Sequence, residues 1–379
     1  MSYQKYNPKR EIPYTAKQSV ILTPPDKTVL IVVAFLVTIG IIAIFSASAP
    51  KCMEMGQNPA RFALFQIFFL IIGLIGMKFF MNYDYKNLVP WTMLITGTVV
   101  VYLLLVAFTP LGVTVNEAKR WLNIGFTQLQ PSEFAKIILI ICAAHFLSEH
   151  KDTINTVKTL IQYAVLCAVP LILIALEPDL STTIDVFAIL FIMLFVAGLS
   201  YKIIGIGLLC LIPLAGSFVW YVKQPDPMFL KDYQQERILS FLYPDEYAST
   251  TQYQQDNSVM AIGSGQLFGK GLNNSTLATV KDANLISEQQ TDFIFSVVGE
   301  ELGFVGSTLI IVILGLIVVQ CIKTARKASD NNGMFIATGV ATLIGIQTFL
   351  NIGVATSLLP NTGIPLPFIS YGLSSLVSS

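Results

Sequence analysis

Apolar runs of membrane-crossing scale recur along this chain, and they restrict what it can fold into more than any other feature. They lie at 28–48, 62–82, 89–109, 133–148, 159–176, 180–199, 202–222, 293–321 and 334–359. A hydrocarbon layer of about 30 Å takes roughly 20 helical residues to cross. Backbone in such a layer must satisfy its own hydrogen bonds, which leaves helices as the economical solution for runs of this length. Only 12% of the chain is charged, about half the share found in a soluble domain. A tenth run begins near Phe368 and meets the chain end at Ser379 before it could cross, so the last helix reads as truncated. The expectation is an all-α polytopic membrane protein of about ten transmembrane helices. Residues 28–379 would form one membrane domain behind a cytoplasmic segment 1–27, with a large extracellular loop, 223–291, between helices 7 and 8.

Residues 1–26 are polar and basic and hold no apolar stretch of the signal-peptide kind. Lys5, Lys9, Arg10, Lys17 and Lys27 favour a cytoplasmic N-terminus. That orientation puts Lys86, Lys151, Lys158, Lys202, Lys323, Arg326 and Lys327 on inner connections. A formal net charge of zero gives no reason to expect a nucleic-acid partner. Cys142, Cys167, Cys210 and Cys321 fall in or beside apolar runs, and Cys52 sits in an outer loop, so no extracellular disulfide is expected. His145 and His150 stand i, i+5 at an inner helix end, a poor geometry for a metal.

The stretch TDFIFSVVGEELGFVG, Thr291–Gly306, brings carboxylates to the membrane. If it is helical, Asp292, Ser296, Gly299, Glu300 and Gly303 share one face. An ionisable residue in a span is costly and marks a functional site by default; the competing reading makes Glu300 and Glu301 packing carboxylates.

Three outer segments hold most of the remaining polar sequence. In Asn116–Lys136, Pro131-Ser132-Glu133 reads as a helix start, with Lys136 at i+3 from Glu133. Lys119 and Arg120 precede Trp121 and form either a phosphate-holding cluster or a loop lodging its charges among headgroups. The loop 223–291 contains Arg237, a surface helix expected at Ser258–Gly263, and glycines 263, 265, 269 and 271. Those glycines suit a phosphate cradle or a turn equally, and they are no Walker A motif. Leu358–Ser375 carries three prolines and two glycines that forbid a continuous helix and point to a cavity wall. Glu177-Pro178-Asp179 is a short outer turn with two carboxylates.

Together RWLNIGFTQLQPSEFAK, EPDLSTT, YQQERILSFLYP, NSVMAIGSGQLFGKGL, QQTDFIFSVVGEELGFVG and LLPNTGIPLPFISYG, in that order over residues 120–372, closely resemble the SEDS family (shape, elongation, division and sporulation), the RodA/FtsW-like peptidoglycan glycosyltransferases. The first hundred residues add the SAS of Ser46–Ser48. The resemblance implies polymerisation of lipid II, the undecaprenyl-diphosphate-linked disaccharide-peptide, on the outer face of the bacterial cytoplasmic membrane, in elongation, division or sporulation. It makes Asp292 the catalytic residue and places Arg120, Glu133, Lys136 and Glu300 at motif positions lining the central cavity. With Lys119, Arg237 and Ser370 these complete the candidate substrate-binding set. It also implies a class B penicillin-binding protein transpeptidase as partner, alongside other elongation or division membrane proteins. The chain departs from the family pattern at Glu117-Ala118-Lys119, at Glu177 where Gln is usual, at Ser181, and at Gly372-Leu373.

A β-1,4 link made from an α-linked sugar diphosphate inverts the anomeric carbon, so one displacement and one general base suffice. Asp292 is that base. Arg120, Lys119 and Lys136, with Arg237 as a weaker candidate, would stabilise the diphosphate. A Mg²⁺ or Mn²⁺ bridging carboxylate and phosphate would suit an oxygen-rich site, but no ligand set is visible in the sequence. A lipid-linked precursor flippase or ion-coupled transporter is the competing class, because broken helices and intramembrane carboxylates serve carriers too. The concentration of polar residues on one side favours the polymerase. Glu300 and Lys136 are also candidates to pair with each other.

Overall fold

A computed structural model describes residues 25–115, 118–123, 125, 128–225, 227–228, 230–247, 251–273 and 278–378. Residues 1–24, which carry most of the basic N-terminal segment, lie outside the described residues, as do Asn116 and Glu117 of the first polar segment. The apolar runs become α1 (Lys27–Glu54), α2 (Arg61–Met81), α3 (Thr92–Phe108), α4 (Pro131–Glu149), α5 (Val157–Leu176), α6 (Leu180–Val196) and α7 (Tyr201–Val222). After two helices of the long loop, α8 (Asp232–Leu242) and α9 (Thr251–Ser264), come α10 (Ile294–Lys327) and α11 (Asn331–Ala355). The tenth run contributes α12, Leu373–Ser378. Among the described residues eight helices are long and apolar enough to cross a membrane, α3 counted with the turn from Tyr85 that leads into it; α6 is a shorter apolar helix.

Local chemistry sets the helix starts. Asp26, Thr156, Asp179 and Asp330 each accept a hydrogen bond from a first-turn backbone N–H. Pro131 stands at the start of α4, where its missing N–H costs nothing. Several ends run past the apolar stretch. Because α1 continues to Glu54, Cys52 is a buried residue of its last turn and not part of an outer loop.

Two large apolar cores share α11. One joins α3, α4, α5 and α6 to Phe335 and Leu343. The other joins α1, α10 and α12 to Ile344 and Ala355. A third, smaller one packs Ala261, Val280, Ile286 and Phe293 against Val354 of the same helix. By contrast, only Val222 of α7 is buried.

The segment before α4 is a small antiparallel sheet, β1 (Gly112–Val115), β2 (Ala118–Asn123) and β3 (Gln128–Leu129), in the order β1-β2-β3. Val113 faces Trp121, and Leu122 faces Leu129. Neighbouring residues of a strand point to opposite faces, and this separates Lys119 from Arg120.

The expected shared face from Asp292 to Gly303 does not form. Asp292 precedes α10, and α10 is broken at Gly303, whose φ of 66° is left-handed. The loop fills the break: Lys270 N–H donates to Glu300 O at 2.9 Å, Gly271 to Glu301 O at 3.1 Å, Phe304 to Gln266 O at 2.8 Å and Val305 to Leu267 O at 3.0 Å. Gly265 and Gly269 serve this close approach, as the turn reading has it. At Gly269, with φ of 79°, a Cβ would overlap the Glu301 carbonyl. The expected amphipathic helix is α9, which exposes Tyr253, Val259 and Met260 on one face and turns the other inward. Its buried Gln255 donates to Val354 O and Leu359 O, and Ser258 to Ala355 O, which satisfies carbonyls at the end of α11.

Candidate active site at one end of the bundle

The turn before α10, the wall 356–372, the loop between α5 and α6, the sheet and α8 all meet at the end of the bundle where α4, α6 and α10 begin. Asn351 near the end of α11 donates from Nδ2 to Asp292 O and to Ile364 O, both at 2.8 Å, pinning the turn to the wall. Ser370 works beside it: its hydroxyl donates to Thr291 O at 2.6 Å and accepts from Leu366 N–H at 2.8 Å. Ser370 therefore holds the wall against residue 291, a positioning role within the site.

The Asp292 carboxylate faces Gly363. A Cβ built there would lie 3.3 Å from Asp292 Oδ2 and 3.6 Å from Arg237 Nη1, so carboxylate and guanidinium flank one point on the wall. Burial pushes Asp292 up to about 6, against the pull of Arg237, and Glu288 adds to the rise. Arg237, from α8, lies over the Tyr233 ring at 5.7 Å. Arg120 approaches from β2. Its Nη2 donates to Tyr233 OH at 2.9 Å and to Pro178 O, and its Nη1 lies 3.6 Å from Asp179 Oδ1.

The remaining candidates go elsewhere. Lys119, on the other face of β2, donates from Nζ to Thr109 O at 2.7 Å, at the end of α3. This is a helix C-terminal cap and not part of the cation cluster. Lys136 is buried and bonds Glu133 Oε1 at 2.8 Å, with Asp185 Oδ2 at 3.6 Å. Asp185 also accepts from Gln347 at 3.0 Å. Glu133 and Lys136 are thus engaged in a buried knot joining α4, α6 and α11. Glu300 accepts from Lys270 Nζ at 2.7 Å and Val280 N–H at 2.8 Å. It fastens the long loop, so the expected placement of Glu300 beside the substrate and the expected Glu300–Lys136 pair both give way. The variant carrying Lys136→Glu with Glu300→Lys should accordingly unfold at least as readily as either single change; recovery of the wild-type melting temperature would restore the pair.

Arg237, the weaker cation candidate by sequence, lies beside Asp292 and opposes the rise of its pKa. Asp185, a carboxylate inside the apolar run of α6, carries the same signal as Glu300 and belongs with the buried charges of the site end. Lys270, Lys281 and Tyr233 had no local signal, because their partners are distant in sequence.

Glu177 is buried, and among the described residues neither carboxylate oxygen has a hydrogen-bond partner. Burial and Asp179 push it up from 4.5 to about 8, with Arg120 opposing. Between those values the unfolded chain has lost this proton and the folded chain keeps it, so stability falls as pH rises. Glu177→Gln should flatten that slope. Melting temperatures followed from pH 4.5 to 8 test this; equal slopes would mean the carboxyl is ionised in the fold.

Among the described residues no three His, Cys, Asp or Glu converge to hold a metal.

Fold and site define a class: a polytopic helical membrane protein with Asp292, Arg237, Arg120 and Asp179 gathered at a single end of its bundle. The family described as cell cycle proteins FtsW, RodA and SpoVE matches residues 26–379, and the chain belongs to it. It is 37% identical over 355 residues to Stage V sporulation protein E of Bacillus subtilis (strain 168), covering 93% of each chain. It is 34% identical to the probable peptidoglycan glycosyltransferase FtsW of Geobacter sp. (strain M18), again over 93% of each. Among solved structures, a chain of a peptidoglycan synthase complex that coordinates polymerization and crosslinking superposes with a TM-score of 0.75 at 27% identity, over 93% of this chain and 94% of that one. The rod shape determining protein RodA of Thermus thermophilus gives 0.65 at 25% identity, over 93% and 92%.

Proposed function

We propose that this protein is a peptidoglycan glycosyltransferase that polymerises lipid II on the outer face of the bacterial cytoplasmic membrane. Its chemistry is a single inverting displacement with Asp292 as general base. The observation that carries the reading is the Asp292 carboxylate, held in a turn at the bundle end with a pKa raised to about 6 and Arg237 beside it. A base near 6 is ionised at neutral pH and still takes a proton from a sugar hydroxyl more readily than an ordinary aspartate. The diphosphate leaving group needs charge stabilisation and no proton. Arg237, beside Asp292 at Gly363, supplies it, with Arg120 as the second cation at the same end; Lys119 caps α3 on the other face of β2 and Lys136 is buried against Glu133.

Names of relatives support the activity, and the likeness to a chain of a peptidoglycan synthase complex supports a crosslinking partner of the class B penicillin-binding type. Other elongation or division membrane proteins complete the proposed assembly. The carrier reading gains nothing from the structure. The buried charges of α4, α6 and α10 cluster near the end where those helices begin, and a carrier needs them at mid-depth.

The test is polymerisation of labelled lipid II by purified protein, with and without a transpeptidase partner. Glycan strands support the reading. Their absence from a folded protein in complex with its partner overturns it.

A further inference from the structure

A second cavity, of about 380 Å³, lies between the start of α2, the sheet and the chain around Thr291. Phe62, Trp121 and Tyr371 give it aromatic walls, Arg61 gives it one cation, and Thr291 lies at its edge. Phe62 and Tyr371 meet edge to face at 4.9 Å. Tyr371 N–H donates to Gln290 O at 2.9 Å, and Ser370 bonds Thr291 O, so the cavity is fastened to the residue immediately before Asp292. The Asp292 carboxylate itself faces Gly363 and Arg237. One peptide unit thus divides a cationic compartment from an aromatic one.

We propose that the aromatic compartment is a saccharide subsite, which binds a short stretch of the glycan next to the bond being formed. This rests on the glycosyltransferase reading for its place in the reaction, but the binding itself does not. A sugar ring has apolar C–H faces and a polar rim; an aromatic side chain with polar neighbours matches that pattern. The cavity volume falls in the range of small-molecule sites. Arg61 carries five N–H donors, of which Nη1 holds Gln57 Oε1 at 2.6 Å, and the others can serve ring hydroxyls and acetamido carbonyls. A prenyl tail would not call for Arg61, Gln128 and Thr291 in the lining, and a diphosphate would call for more than one cation.

The probe is chitotetraose, a soluble β-1,4-linked N-acetylglucosamine tetramer. The chain has three tryptophans. Trp91 and Trp220 are exposed and do not line the cavity, so W91F with W220F leaves Trp121 as sole reporter. Titration should change its emission saturably, and Arg61→Ala should weaken that binding about tenfold or more. In the polymerisation assay Arg61→Ala should raise KM for lipid II while sparing kcat. No saturable change, or equal binding in Arg61→Ala, overturns the subsite. Binding without any polymer from the wild type would keep the subsite and remove the enzyme reading; polymer without binding would do the reverse.

Discussion

Asp292→Asn is expected to lower lipid II polymerisation by about 10²–10⁴-fold, the usual worth of a positioned general base. The substitution keeps the side chain's shape, and the hydrogen bond from Asn351 goes to the main-chain carbonyl, so the turn before α10 should hold. An unchanged melting temperature would confirm that the loss is chemical. The wild-type rate should also fall as pH drops below about 6, where the carboxyl takes up its proton and can no longer accept one. Equal polymer from wild type and from a stable Asp292→Asn would sink the assignment. So would a rate that stays flat through pH 6 while chemistry limits turnover.

The second large effect is on stability. Lys281 is 1% exposed, and its Nζ lies 2.9 Å from Glu301 Oε1 and 2.9 Å from Ser46 Oγ. Ser46 in turn donates to Glu301. Lys281→Met would leave the buried Glu301 carboxylate without its cation, with only Ser46 and the Asn273 N–H as donors, and the loss of one partner from such a pair costs about 3–5 kcal/mol. Glu301→Leu should cost about as much by leaving the buried ammonium with Ser46 and the more distant Asp282. The double variant should recover most of the loss, because two apolar side chains leave no buried charge. Thermal unfolding in detergent measures all three. Additive losses would show that Lys281 and Glu301 do not act as a pair.

The helices were legible because membrane-crossing runs announce themselves by length: α2, α5 and α7 begin and end within two residues of their apolar stretches. Asp292 and Arg120 were legible through motif resemblance. Arrangements made across sequence were not. Lys119 and Arg120 are adjacent in the chain yet face opposite ways, because 118–123 is a strand, and nothing in the local composition announced one. Glu300 and Glu301 were visible as buried charges, but their partners Lys270, Lys281 and Ser46 lie up to 255 residues away. The Gly303 break was hidden because its cause is outside α10, in the loop backbone that bonds into it.

The Ser46–Glu301 contact also carries a statement about time. Synthesis proceeds at about 5–20 residues per second, so the 255 residues between the two take roughly 13–50 s to emerge. Throughout that interval α1 is in the membrane with Ser46 lacking its final partners. A helix made early is therefore among the last to be completed, and its packing waits for α10 and the loop before it. Quality control acting on half-made chains would meet a bundle whose opening element is provisional until most of the protein exists.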